Sequence, residues 1–354
     1  MPEQLPPKRK RPKAFLILII ALLAGGIGWY FWDKNEDQPR TERLVELKKF
    51  KAERPLMGTL ATITIFAESS EQANSAFEAA FARGEEINQV ASDYLPNSEL
   101  TLFNTAQVDE WQDTSNDLLT MVSYGLELAE LTEGSYDPTL GTMTHLWRET
   151  KKARKLPKAA TIDSARALAG WELIEADFEN HRLRKRKDGV RLDLGGLAKG
   201  YASDVMLEAL NKQGIQRALV AVGGDIRCGD APPEEEGWTV GLKDKNNNLV
   251  ATILVKNSAV STSGDLEQFV EINNRRYSHI IDPASGLGLT DSLLATVVAP
   301  NGLMADPLGT AACVNPRFFS NLPASIEIHS RILSSEKEQI SKGFPNLTPY
   351  LLSP

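Results

Sequence analysis

Asp306 and Thr310 stand four residues apart in MADPLGTA, Met304–Ala311. On a helix that spacing puts both on one face. A carboxylate and a hydroxyl are hard oxygen donors. They suit Mg²⁺, which completes its shell with water and substrate phosphate, and they do not suit Zn²⁺. The competing reading is structural: Asp306 caps a helix whose first residue is Pro307, and by pattern alone it is the stronger one. A second segment is RLDLGGLAKGYASD, Arg191–Asp204, where Gly195-Gly196 precedes a helix carrying Lys199 in its first turn. Glycines admit close backbone approach, and a helix start offers N–H groups to an anion. The spacing is neither GxxxxGK[ST] nor GxGxxG, so a plain strand–helix corner competes with phosphate binding. GGDIR, Gly223–Arg227, allows close approach to a ligand or a tight turn capped by Asp225. In RYSHIIDPASG, Arg276–Gly286, His279 stands beside the Asp282-Pro283 turn, and imidazole can take a proton near neutral pH. Asp265, in STSGD, is a weaker candidate base.

These residues need elements to position them. Arg191–Leu194 reads as a strand. The helix after Gly196 runs to about Lys212, with Leu197, Tyr201, Val205 and Ala209 inward and Gly214 as its stop. Ala218–Val222 reads as a strand, and Glu267–Ile272 with Arg275–Ile280 as a hairpin turning on Asn273-Asn274. Leu293–Val298 is a strand before a helical stretch near Leu303–Val314. Upstream, Thr59–Phe66 alternates as a strand. Ser70–Ala91 repeats apolar residues at helical spacing behind a Ser69/Gln72 capping box, and a second helix covers Asp117–Leu131. Helices and antiparallel hairpins are mixed, so the fold class is α+β.

The chain has 354 residues, 42% hydrophobic and 24% charged, which is the profile of a globular body with a sizeable core. Its two cysteines, Cys228 and Cys313, exclude a disulfide scaffold or a multi-cysteine metal site. In residues 1–13 five basic side chains face Glu3, a local +4, so the remainder carries −12 of the net −8. An acidic body argues against a nucleic-acid partner.

Ala14–Trp32 is 19 residues without a charge, about the span of a bilayer core. The basic cluster before it keeps the amino terminus cytoplasmic, and Trp29, Tyr30 and Trp32 fall where an aromatic belt would lie. The expectation is one transmembrane signal anchor in the cytoplasmic (inner) membrane, with the body on the periplasmic, extracytoplasmic side. A cleaved signal peptide, cut near Ala24-Gly25-Gly26, is the rival. The expected divisions are a basic tail (1–13), the anchor (14–32), a linker (33–55), a catalytic domain (56–316) and an unassigned extension (317–354).

Taken in order, these segments resemble the ApbE family, the FAD:protein FMN transferases. MGTLATI at Met57–Ile63, SDYLPNSELTLFN at Ser92–Asn104 and GSYDPTLGTMTHLW at Gly134–Trp147 look like that family's opening motifs. The likeness extends to about Val314. It implies an ApbE-like α+β fold with T-fold-like units. It also implies FAD bound by Met57, Tyr94, Ser135, Tyr136, Asp137, Asp193, Lys199 and Ile280, and Mg²⁺ held by Asp306, Thr310 and the Gly196 carbonyl, with His279 as catalytic residue. The implied reaction moves FMN from FAD onto a Ser or Thr hydroxyl of an acceptor flavoprotein, releasing AMP. The implied acceptor is a subunit of a sodium-pumping (Nqr) or Rnf-type redox complex. The alternatives are a Mg²⁺-dependent FAD pyrophosphatase and a non-catalytic, membrane-anchored FAD-binding protein. Pro307 and Gly309 depart from the family pattern; Gly309 puts a second metal position in doubt, and anchoring would fall to the apolar helix because no lipoprotein cysteine follows it.

Overall fold

The computed structural model describes residues 46–265, 268–291, 293–321, 327–334 and 337–350. The expected tail, the anchor and residues 33–45 of the linker lie outside the described residues. Among those described, no helix is long and apolar enough to cross a membrane.

The linker expectation is corrected from Lys48 onward. Strand β1 (Lys48–Leu56) pairs antiparallel with β2 (Thr59–Ala67) along its whole length. They turn on Met57-Gly58, with φ of 49° and 71°, the two-residue geometry that matches strand twist. Half-buried Phe50 and Ala52 alternate with exposed Lys49, Lys51 and Glu53. Such charges suit an edge strand, and they disguised this one as linker. Helix α1 (Ser70–Ala91) follows. Ser69 Oγ accepts from Gln72 N at 3.2 Å, while the Gln72 side chain takes the N–H of Glu68 rather than that of Ser69.

Next come α2 (Glu99–Thr105), β3 (Gln112–Asp113), α3 (Asn116–Leu131), α4 (Gly141–Ala153) and α5 (Ala159–Arg166). Strands β4 (Ile174–Asp177) and β5 (Arg182–Lys185) join β3 in a small antiparallel sheet. The strand expected at Arg191–Leu194 is not formed: only Arg191 bridges, in parallel, to Leu140. The Asn104 side chain instead takes both the N–H (2.7 Å) and the carbonyl (2.9 Å) of Leu192. Buried Leu192 and Leu194 alternate with half-buried Arg191 and Asp193, which imitates a strand without a ladder. Helix α6 (Ala198–Lys212) leads to β6 (Ala218–Val222), β7 (Asp225–Cys228), β8 (Trp238–Lys243), β9 (Leu249–Val255) and β10 (Ala259–Gly264).

The expected hairpin is β11 (Phe269–Ile272) with β12 (Arg275–Ser278), turning on Asn273 and Asn274 at φ of 52° and 59°. Then follow β13 (Ile281–Asp282), β14 (Leu287–Gly288), β15 (Leu294–Ala299) and α7 (Gly302–Val314). Described residues of the stretch left unassigned, beyond 316, are part of the fold. Strands β16 (His329–Leu333) and β17 (Glu338–Ile340) extend the main sheet, and β18 (Thr348–Pro349) pairs with β9.

The main sheet runs β1-β2-β6-β7-β10-β15-β16-β17, every neighbour antiparallel. On one face α1 and α6 pack Phe77, Phe81, Met206 and Leu210 over Ile63, Ile65 and Val220. On the other, β8 and β9 pack Trp238, Val240 and Ile253 over Val260 and Val298. Each such side chain is worth about 1.5–3 kcal/mol when fully buried. Helix α7 lies beside α6, with Ala305, Leu308 and Ala311 in a core shared with Val205, Ala259 and Val297. The class is α+β, as the sequence indicates.

Candidate active site

The site forms where α6 and α7 meet. Asn301 Oδ1 accepts from Met304 N at 2.9 Å and caps α7. From α6, the Asp204 carboxylate accepts from Gly302 N at 2.7 Å and Leu303 N at 2.8 Å, with Arg227 Nε 3.1 Å away. Burial pushes Asp204 up to about 6. The helices touch at glycines: a Cβ on Gly200 would stand 2.1 Å from the Gly302 carbonyl oxygen, and one on Gly302 2.2 Å from that of Gly200. Asp306 is therefore not the helix cap. The helix begins at Gly302, and Pro307 sits inside it, where it cannot donate to the Leu303 carbonyl.

Asp306 lies in a buried ionic centre. Lys199 Nζ is 2.8 Å from Asp225 Oδ2 and 3.2 Å from Asp306 Oδ2. Gly200 N donates to the same Asp306 oxygen at 3.1 Å, and Ser261 Oγ donates to Asp225 Oδ1. Asp306 and Asp225 are only 3% and 4% exposed. Burial, then the charge of Asp225, raises Asp306 to about 6 against the pull of Lys199. Burial works against the Lys199 charge, but the two carboxylates overturn it and hold the ammonium above its usual range.

Gly196 and Thr310 adjoin this centre. A Cβ on Gly196 would lie 3.2 Å from Thr310 Oγ1 and 3.5 Å from Tyr136 Cε2. The Tyr136 hydroxyl is buried without a hydrogen-bond partner among the described residues. Burial, then the charges of Asp306, Asp193 and Asp137, raises it well above the ordinary phenol value, so it remains a donor. Asp137 turns its carboxylate to Thr139, accepting from its N–H at 2.8 Å and hydroxyl at 2.6 Å; burial lifts it to about 6. Ser135 is buried in the same loop, its N–H on the Thr132 carbonyl at 3.1 Å.

Asp193 begins the glycine corner. Its Oδ1 accepts from Gly195 N at 2.7 Å, and its Oδ2 from Arg148 at 2.9 Å. Arg148 also pairs with Asp93 and lies 4.4 Å from the ring centroid of Tyr94.

His279 follows β12. Its Nδ1 lies 3.1 Å from the Gln268 carbonyl, which can only accept, so Nδ1 carries the proton and Nε2 keeps its lone pair. Burial, supported by the charges of Lys151 and Lys199, holds the imidazole below its ordinary value despite the Gln268 bond and Asp265. Asp265 pairs with Arg276 Nε at 2.9 Å. The Ile280 side chain packs among Ala295, Ala312 and Cys313 behind α7. Met57 packs at the β1–β2 turn, and Gly223 N donates to the nearby Leu60 carbonyl at 3.0 Å.

The structure thus gathers Gly196, Lys199, Tyr136, Asp306 and Thr310 in one cluster. Tyr94 and Asp193 join through Arg148, and Met57, Ser135, Asp137 and Ile280 stand in the segments around it. Asp225, read from sequence as a turn cap, is instead the second carboxylate on Lys199. Its signal was available in a GGD following a buried strand. Arg148 carried no signal beyond that of an ordinary helical charge. The donors around Gly196 are a carbonyl, a hydroxyl and a carboxylate, with an unpaired phenol alongside. That set fits a hard divalent cation and an oxygen-rich ligand such as a diphosphate.

Comparison with known proteins identifies the family. The ApbE family model matches residues 57–319. An FAD:protein FMN transferase of Vibrio cholerae is 32% identical over 236 residues, covering 65% of this chain and 70% of that protein. One of Chlamydia muridarum is 31% identical over 230 residues, covering 64% and 71%. The crystal structure of the ApbE protein of Thermotoga maritima superposes with a TM-score of 0.75 at 27% identity, covering 84% of this chain and 98% of that one. The flavin transferase ApbE of Vibrio cholerae gives 0.75 at 28% identity, covering 84% and 99%. The matched span takes in the glycine corner, the GGD turn, the His279 segment and α7, and this chain belongs to the ApbE family.

Proposed function

We propose that this chain is a Mg²⁺-dependent FAD:protein FMN transferase, moving FMN from FAD onto a Ser or Thr hydroxyl of an acceptor flavoprotein with release of AMP. The observation that carries this reading is the buried Asp225–Lys199–Asp306 centre packed beside Gly196 and Thr310. It supplies oxygen donors for a cation and a fixed positive charge for a diphosphate. The names borne by the relatives support the same chemistry.

Asp306, Thr310 and the Gly196 carbonyl would hold the Mg²⁺. Bound there, the ion would neutralise charge on the diphosphate. Lys199 orients the Asp306 carboxylate and adds positive charge, and the Tyr136 hydroxyl donates to a phosphate oxygen. Met57, Tyr94, Ser135, Asp137, Asp193 and Ile280 line the path of the dinucleotide. His279 Nε2 takes the acceptor's hydroxyl proton as that oxygen bonds to the FMN-side phosphorus. The bond from that phosphorus to the bridging oxygen breaks, and AMP leaves with the oxygen. Positioning and electrostatics supply most of the rate, as in phosphoryl transfer generally.

The proposed setting is the outer side of the cytoplasmic membrane, with Ala14–Trp32 as anchor and a flavoprotein subunit of an Nqr- or Rnf-type complex as acceptor. The uncharged run behind a basic cluster supports it.

The test combines the full chain, FAD, Mg²⁺ and a candidate acceptor subunit. A mass gain on the acceptor equal to FMN less water, with one AMP per label, supports the transfer. FMN and AMP without a labelled acceptor would overturn it in favour of hydrolysis, and FAD left intact would overturn turnover altogether.

A further inference from the structure

Arg148 ties together three separate segments. Its helix, α4, is fixed against the glycine corner: Gly141 N donates to the Arg191 carbonyl at 3.1 Å, and a Cβ on Gly141 would stand 2.6 Å from that oxygen. From this base the guanidinium binds Asp93 in the loop after α1 and Asp193 at the corner, the latter at 2.9 Å. Its Cζ lies over the Tyr94 ring, 4.4 Å from the centroid.

The two carboxylates share this one guanidinium. Burial and the charge of Asp193 push Asp93 up, while Arg148 pulls it down. Removing Arg148 would leave like charges facing each other in a half-buried place, so the loop and the corner would move apart. The Tyr94 ring is 76% exposed. An exposed ring samples several rotamers, and a cation over one face selects among them while leaving the other face open. Asp193 meanwhile holds Gly195 N at 2.7 Å and so shapes the turn leading to Gly196. One guanidinium thereby sets an aromatic face and a phosphate-side turn together.

We propose that Arg148 is a positioning residue for FAD, holding the Tyr94 ring and the Asp193 turn at the separation the dinucleotide requires. This rests on the transferase reading. A lysine keeps the charge but loses the planar fork that reaches both carboxylates at once, so it is not an equivalent replacement.

The test uses the full chain with Arg148→Lys, Tyr94→Ala and the double variant. FAD affinity is measured by titration calorimetry, kcat and KM by flavinyl transfer, and folding by thermal unfolding. Arg148→Lys is expected to weaken FAD binding and raise KM by about tenfold, with kcat within about threefold of wild type. The double variant should bind no worse than about twofold below the weaker single variant, because the two residues act as a unit. Wild-type affinity in a folded Arg148→Lys, full additivity with Tyr94→Ala, or a fall in kcat at constant KM would each overturn the proposal. If Arg148→Lys does not fold, Asp93→Asn is read in its place. It should weaken FAD binding about threefold, and only while Tyr94 is present; unchanged affinity would overturn the proposal. A wild-type chain that does not bind FAD would overturn the transferase reading and this inference together, whereas tight wild-type binding with indifferent variants defeats this inference alone.

Discussion

Asp306 is held at about 6, against an ordinary aspartate value of 3.8, chiefly by burial. Between those two values the folded chain keeps a proton that the unfolded chain has released. Stability from this residue therefore falls as pH rises through that window, and an asparagine escapes the fall. Without divalent ions, Asp306→Asn should gain stability relative to wild type between about pH 4 and about pH 7, read from denaturant midpoints. Its Mg²⁺-supported turnover should drop about a hundredfold or more. A relative loss of stability over that range would contradict the burial argument. His279 titrates the other way. Its pKa is lowered, so it is neutral at pH 7, and kcat/KM should decline as pH falls into the acid limb below 6.5. His279→Gln should cost about 10²–10⁴-fold in rate and abolish that limb; an unchanged limb would remove His279 from the proton path. At this scale the sequence was informative where residue types cluster locally, as in LGGLAK and ADPLGT. It left Asp225 open between a turn cap and a ligand-side residue and concealed Arg148, because their partners stand far away in the chain and a single Asp or Arg has many ordinary uses.

The α6–α7 crossing sets the geometry of the site. Gly200 and Gly302 allow backbone to meet backbone, and Asp204 on α6 holds the first N–H groups of α7. Gly200→Ala would force its Cβ against the Gly302 carbonyl, so α7 must shift, carrying Asp306 and Thr310 with it. The expected cost is about 1–3 kcal/mol of stability from overpacking, together with a rise in the Mg²⁺ concentration needed for half-maximal turnover. Denaturant unfolding and a Mg²⁺ titration measure the two, and a variant unaltered in both would show the contact to be unimportant. Helices α1, α3 and α6 were readable from apolar spacing, and α1 also from its Ser69 cap; α7 was placed, but its cap is Asn301 and not Asp306. Arg191–Leu194 was misread because alternating burial does not require a neighbouring strand: Asn104 fills that role from a helix. Strand β1 was missed because an edge strand keeps its charged residues.

At the scale of the molecule, β1 protects one margin of the main sheet. Its outermost position covers β2 along the full strand, with Leu56 buried and Phe50 and Ala52 packed on the core. A chain shortened to begin at Met57, where the family match starts, would expose the backbone groups of β2. It should unfold at lower temperature and elute partly as aggregate in gel filtration, whereas one beginning at Glu46 should remain monodisperse. Equal behaviour of the two would show that β1 is dispensable. The opposite margin is completed by β16 and β17, and β18 covers the lesser sheet at β9. They follow α7 in sequence, so a polypeptide stopped after Asn321 would carry every residue of the Asp225–Lys199–Asp306 centre yet leave two rims without partners, and those rims would invite self-association.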